Sequence, residues 1–231
     1  MKRPLSLAVL HAELVQCRAC PRLVAWRETV AREKVARFRA SDYWGRPVPG
    51  FGDPAARILV VGLAPGAHGA NRTGRVFTGD RSGDFLFAAL HRAGLASQPT
   101  STARDDGLAL TDAYIVTPVR CAPPDNTPRP DEIARCAHFL DDELALLPDV
   151  RVVLALGAIA WRAVLAHHAG AGGVVTRPRP AFAHGAATAL GSRWLLGSYH
   201  VSQQNTQTGK LTPGMFDAVL AEARKRASTA G

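Results

Sequence analysis

Cysteine is scarce in this chain of 231 residues, which has only Cys17, Cys20, Cys121 and Cys136. A secreted, disulfide-stapled scaffold would need a denser and more regular set, so the four thiols are read as metal ligands kept reduced in a cytosol. Acidic residues are also short, 19 against 28 Lys and Arg, and the resulting formal charge of +9 makes a polyanion the first partner to consider. Nucleic acid or a membrane surface would satisfy it. No uncharged stretch approaches the roughly 18–20 apolar residues that cross a bilayer, so no membrane-spanning segment is expected. The opening Met1, Lys2 and Arg3 imitate the basic end of a signal peptide, but the apolar run that follows contains Ser6 and stops at His11 and Glu13. The expectation is therefore a cytoplasmic, nucleoid-associated protein with no export signal. Internal repeats and heptads are absent too.

What is present is an alternation of strand-like and helical patterns. Apolar runs at 57–61, 114–117, 152–156 and 194–197 predict strands, and their near-continuous hydrophobicity suits a parallel sheet covered on both faces. Helices are predicted at 82–93, 131–146, 158–167 and 213–226, the last with Thr212 as N-cap and Pro213 at its first position. Two more are expected before the first strand, at 5–15 and 22–37, while 97–107 and 169–193 read as loops. The predicted fold is α/β: a three-layer α/β/α sandwich forming a single domain over 1–231, with an N-terminal helical extension over about residues 1–50.

Ligands of open parallel sheets bind outside the carboxyl ends of the strands. Three unusual segments each follow a predicted strand: 62–80, 118–128 and 199–209. The first is rich in glycine, which lets backbone N–H groups approach a ligand closely. It lacks both the Gly-x-Gly-x-x-Gly of dinucleotide folds and the Gly-Lys-Ser/Thr of a phosphate loop, and by itself it reads as a tight turn. The cysteines offer a pair spaced to grip one centre from a single turn, Cys17 with Cys20, and a distant pair, Cys121 and Cys136, to close the coordination sphere. Iron–sulfur and zinc both satisfy that pattern.

The segment Gly62-Leu63-Ala64-Pro65-Gly66, with Asn71-Arg72-Thr73-Gly74-Arg75 and Phe77-Thr78-Gly79-Asp80, resembles the first signature of the family 5 (type b) uracil-DNA glycosylases. His200-Val201-Ser202 with Gln204-Asn205-Thr206-Gln207-Thr208-Gly209 resembles the second, and the cysteines are similar to the [4Fe-4S] arrangement of families 4 and 5. The resemblance covers nearly the whole chain. It implies a four-stranded parallel sheet between helices, and a monofunctional base-excision repair enzyme that hydrolyses the N-glycosidic bond of uracil in DNA and accepts other deaminated bases such as hypoxanthine.

The resemblance further implies site residues. His200 would donate a hydrogen bond to the uracil O2, kept neutral by a neighbouring helix N-terminus, with the backbone of Gly62, Leu63, Ala64 and Gly66 assisting. Phe77 would stack on the extruded base, Asn126 would face its edge, and Asn205 would position the loop or contact DNA. Ala64 stands where other families place a carboxylate or amide. That leaves Asp80 as the water-activating or cation-stabilising group, against the plainer reading of Asp80 as a helix N-terminal residue. Arg72 and Arg75 would contact phosphates, and the tip formed by Val201, Ser202, Gln203 and Gln204 would wedge into the base stack. His68 is divided between lining the pocket and anchoring its loop. A [4Fe-4S] cluster on Cys17, Cys20, Cys121 and Cys136, uracil-containing DNA as partner and a monomeric state complete the expectation. The competing reading is a non-catalytic nucleic-acid-binding protein with a structural iron–sulfur or zinc site.

Overall fold

The computed structural model describes residues 6–229. Its middle layer is a six-stranded sheet of β1 (Phe51–Gly52), β2 (Ile58–Val61), β3 (Ala113–Val116), β4 (Val152–Leu156), β5 (Ala187–Leu190) and β6 (Arg193–Ser198), in the order β1-β3-β2-β4-β6-β5. The four inner strands are parallel and are the four expected from hydrophobicity. The sheet is larger than the four strands expected because β1 and β5 add antiparallel edges. β5 falls inside 169–193, read as loop: it pairs on one side only and most of it is not buried, so its sequence needs no apolar run.

Burial on both faces explains the composition of the inner strands. Ile58 and Val60 of β2 point into one apolar cluster, with Ile115, Leu154 and Leu196. Leu59 and Val61 point into the other, with Val116, Val153 and Leu195. The first cluster is closed by α4 (Arg81–Arg92) and α8 (Pro213–Thr229), through Leu86, Phe87, Phe216 and Leu220. The second is closed by α5 (Pro130–Ala145) and α6 (Ala158–Gly170), through Leu140, Leu144, Trp161 and Val164. This is the α/β/α sandwich anticipated, and each of these fully buried aliphatic side chains stabilises it by about 1.5–3 kcal/mol.

Local signals set the helix ends. Pro213 opens α8 and the Thr212 hydroxyl accepts from the Met215 N–H, 3.3 Å. Pro130 opens α5, where the Glu132 carboxylate reaches back to the Arg129 N–H at 2.8 Å. Of the two N-terminal helices, α1 spans Leu7–Leu14 and α2 Pro21–Glu33; position 5 of the first expectation lies outside the described residues. The second stops four residues short of the expected end because Lys34 turns to φ +56°, and a single tight turn, Ala36–Phe38, follows.

The N-terminal segment is tied to the sheet by a buried polar network. Glu143 of α5, wholly buried, accepts from Arg120, from the Gly50 N–H at 3.2 Å and from Tyr114 at 3.4 Å. His11 of α1 stands 3.2 Å from the same carboxylate and 3.0 Å from the Tyr114 hydroxyl. Burial alone would raise the Glu143 carboxyl, but Arg120 and His11 outweigh it and hold the pKa below the ordinary value.

Candidate active site

The carboxyl ends of β2, β3 and β6 lie along one rim of the sheet, so the three segments that follow them meet. They enclose a cavity of about 720 Å³ whose lining includes Leu63, Ala64, Gly66, His68, Phe77, Asp80, Asn126 and His200, with Ser202, Gln203, Gln204 and Asn205 at the side formed by the last segment and its short helix α7 (Gln203–Gln207). A volume of this size suits a drug-sized ring system with room for its attachment.

Two glycines of the first segment are explained by what approaches them. A Cβ on Gly62 would come within 2.7 Å of the Phe77 ring, so the ring lies directly against the backbone. A Cβ on Gly69 would overlap the Asp80 carboxylate, and one on Gly66 would sit 3.0 Å from Asp80 Oδ2. Phe77 itself adopts φ +52°, a conformation that a bulky residue holds only when its surroundings impose it. The α4 helix imposes it here, since the Phe77 carbonyl packs so closely on Gly83 that no side chain would fit there.

Asp80 is placed for both of the roles the sequence left open. It is the N-cap of α4, its Oδ1 accepting from the Gly83 N–H at 3.0 Å, while Oδ2 faces Gly66 and Gly69 on the cavity side. Burial pushes its pKa above the ordinary carboxylate value, partly offset by the hydrogen bonds from the α4 N-terminus. His200 borders the same cavity with its ring 6.3 Å from the Phe77 ring, centroid to centroid. Burial drives its pKa down to about 4 with no charged neighbour involved. Burial keeps the imidazole neutral, as expected, and a helix N-terminus does neighbour it: a Cβ on Gly157, the N-cap of α6, would stand 3.4 Å from the His200 Cβ. Asn205 donates its side-chain N–H to the His200 carbonyl, 2.7 Å, and so fixes the backbone that carries the ring. Asn126 stands exposed at the mouth, where it and Asp125 both take φ +53°, a pair of strained residues in one turn.

Three of the expected DNA contacts are corrected. Arg75 is 4% exposed and is bound by Asp106 (2.8 Å), Ser101 (2.7 Å) and Thr78 (3.0 Å), which pins the loop at 97–107 under the first segment. Its partner Asp106 is held down at about 2 by that guanidinium and by loop N–H groups, although burial opposes them. Val201 is fully buried in the core below the rim, so the wedge role falls outside its reach. Arg72 spends its donors on the His68 and Gly79 carbonyls, at 2.8 and 3.1 Å, and stacks on Phe38. His68 proves to line the cavity, with Nδ1 3.0 Å from the Tyr43 hydroxyl, and burial lowers its pKa. Sequence reasoning missed Arg37 and Thr117 as lining residues. Thr117 was read as the last residue of a strand but lies just past the end of β3, and Arg37 had been placed inside a helix, where nothing marks it as facing a cavity.

The four cysteines converge as well. Cys17 follows α1, Cys20 caps α2, Cys121 follows β3 and Cys136 lies on α5, and all four are free and line one small pocket with Arg120 and Arg135. Each side of the pocket carries a guanidinium: Arg27 donates to Cys121 Sγ at 2.8 Å and to the Cys17 carbonyl at 3.1 Å, Arg120 acts on Cys136, and Arg135 on Cys20. Arg27 Nε and Arg120 Nε and Nη1 are buried donors without a partner. Burial pushes three of the thiols up against the pull of these cations: Cys20, Cys121 to about 11 and Cys136 to about 12. Among the described residues no three Cys, His, Asp or Glu groups converge closely enough to hold a single ion. The pocket adjoins the cavity, since Cys121 and Leu23 pack with Cys20 and Ala64.

Fold and site together define an α/β/α protein that takes its ligand at the strand tips, between a glycine-rich turn and a histidine turn. The model of the "Uracil DNA glycosylase superfamily" matches residues 49–224, and the chain belongs to that family. It is 59% identical over 215 residues to a type-5 uracil-DNA glycosylase of Thermus thermophilus, covering 93% of this chain and 95% of that one. A type-5 uracil-DNA glycosylase of Pyrobaculum aerophilum is 46% identical over 94% of this chain and 91% of its own. Similarity to a type-4 uracil-DNA glycosylase of Thermotoga maritima is 39% and reaches only 49% of this chain and 51% of the other.

Proposed function

We propose that this chain is a uracil-DNA glycosylase that extrudes uracil from DNA and hydrolyses its N-glycosidic bond. The observation that carries the reading is the meeting of Asp80, Phe77, His200 and the 63–66 segment around one cavity, in a chain of this family; Gly62 stays behind them, its N–H bound to the Val116 carbonyl at 2.8 Å. A base in a duplex shields its glycosidic bond, so the nucleotide must first rotate out at a cost of a few kcal/mol. The Phe77 ring offers one face for the base to stack on. Breaking the C1′–N1 bond sends the electron pair to the base and leaves cationic character on the sugar. Neutral His200 donates to the carbonyl oxygen where that negative charge collects, and backbone N–H groups of the first segment assist. Asp80 Oδ2 faces the sugar side, where it stabilises the cation and accepts the proton of the attacking water, which then leaves with the uracil anion. The Asn126 amide both donates and accepts, which suits hypoxanthine and other deaminated bases as further substrates.

The thiol pocket fits a [4Fe-4S] cluster on Cys17, Cys20, Cys121 and Cys136. Sulfur at roughly 2.3 Å from one zinc would require the thiols to converge on a point, whereas a polynuclear cluster spreads its ligands. The partnerless donors of Arg27 and Arg120 match an anionic, sulfur-rich group. Such a cluster would supply a cross-link between the N-terminal segment, the β3 turn and α5; no thiolate is needed by the hydrolysis. The setting is the cytoplasm, on nucleoid DNA, with no helix among the described residues long and apolar enough to cross a membrane. Incubation with an oligonucleotide containing one uracil, followed by alkali, should give a strand break at that position and free uracil. An intact strand would overturn the reading.

A further inference from the structure

We propose that residues 37–46, with Arg104, form a preformed arginine strip, backed by Arg72, that grips the DNA strand next to the extruded nucleotide. The proposal rests on the glycosylase reading of the cavity. Beyond α2 the chain runs along α3 (Ala70–Thr73), held by Trp44 N–H to the Arg72 carbonyl at 2.9 Å, Gly45 N–H to the Asn71 carbonyl at 3.0 Å, and the Tyr43–His68 contact. It is thus fastened to the wall of the cavity, and Arg37 at its start is itself part of the lining.

Two aromatic rings on this strip each carry two guanidinium groups. Arg37 and Arg72 lie over Phe38 at 4.5 and 3.9 Å, and Arg46 and Arg104 over Trp44 at 5.7 and 4.5 Å. The Trp44 ring is fixed in turn, its Nε1 donating to the Pro47 carbonyl at 2.9 Å and its face packed against Gly74. Arg37, Arg39, Arg46 and Arg104 are exposed, and among the described residues none of them is in an ion pair, unlike Arg18, Arg57 and Arg92 on other faces. The carboxylates in the same stretches are Asp42 and Asp105, both exposed, which leaves the strip strongly cationic.

Stacked guanidinia keep their in-plane N–H groups free for phosphate oxygens and lose little side-chain freedom on binding. Such groups are the natural counterweight to the unstacking cost of base extrusion, because the duplex must be held while it is distorted. A membrane fits less well: among the described residues the exposed large hydrophobics are Val9 and Val174, neither on this strip.

The test is the salt dependence of binding to a duplex carrying a non-hydrolysable 2′-fluoro-deoxyuridine, measured by fluorescence anisotropy. Arg46→Gln and Arg104→Gln should each make the slope of log K against log salt shallower by about 0.9, equivalent to about eightfold weaker binding at ~0.1 M salt. Arg46→Lys and Arg104→Lys, which keep the charge, should recover most of the slope. A double Gln variant that binds with the wild-type slope overturns the strip, and so does a Lys variant as impaired as its Gln counterpart. Failure of the glycosylase reading would show differently, as a wild-type protein that releases no uracil.

Discussion

Asp80→Asn separates the cap that this carboxylate forms on α4 from the proton-accepting role proposed for it. Asparagine caps a helix about as well as aspartate, so its side-chain oxygen can still accept from the Gly83 N–H now held at 3.0 Å. What it removes is the charge at Oδ2 and the ability to take a proton. Loss of a positioned general base costs about 10²–10⁴ in rate, and that is the fall expected for single-turnover uracil release. Stability should move the other way. Burial raises the Asp80 pKa in the folded chain, so between the unfolded and the folded pKa the folded state binds more protons, and stability falls as pH rises through that window. At neutral pH the ionised carboxylate is therefore a burden, and the Asn variant should melt at or above the wild-type temperature. Asp80→Ala, which also deletes the cap, should lose about 0.5–2 kcal/mol in addition to the rate. Turnover by rapid quench and melting by circular dichroism give the two numbers. An Asn variant with wild-type turnover, or one as unstable as the Ala variant, would refute the division of labour.

His200 should remain neutral throughout the range where an ordinary histidine titrates. Its pKa of about 4 means that the unfolded chain binds the extra proton first, so this site favours folding less as pH falls from about 6.5 towards 4; nitrogen-15 NMR of labelled imidazole should show a predominantly neutral ring at pH 5, where an ordinary histidine is mostly protonated. Glu143→Ala strands the buried Arg120 guanidinium and should cost about 3–5 kcal/mol in urea unfolding, whereas a loss under about 1 kcal/mol would mean the network is ornamental. Purified anaerobically, the protein should be brown with about four irons per chain. Arg27→Met should lower that iron content, because Cys121 and the Cys17 turn lose their cation; a colourless protein with one zinc would remove the cluster.

Much of the framework was legible because it depends on period and punctuation. Ile58–Val61 and Val152–Leu156 are continuous apolar runs that only a doubly covered strand explains, and Thr212-Pro213 announces a helix start. β5 was not legible, since an edge strand paired on one side needs no hydrophobic signature. The early end of α2 hangs on Lys34 taking a left-handed conformation, which its sequence neighbourhood does not announce. At the site, motif position identified Asp80, Phe77 and His200, but a motif cannot say which of its members face inward. Arg75 and Val201 lie within the same signatures and are buried by long-range contacts, to Asp106 and to the core, that are invisible in a linear reading. Arg37 lies outside both signatures, and only the folding of residues 35–47 along α3 brings it to the cavity.

A crystal structure with a duplex carrying 2′-fluoro-deoxyuridine tests the central claim most directly. The account predicts the uracil ring outside the helix, stacked on Phe77, with its O2 toward His200 and its C1′ near Asp80. A base still paired in the duplex, or lodged away from the turns that follow β2, β3 and β6, would contradict it.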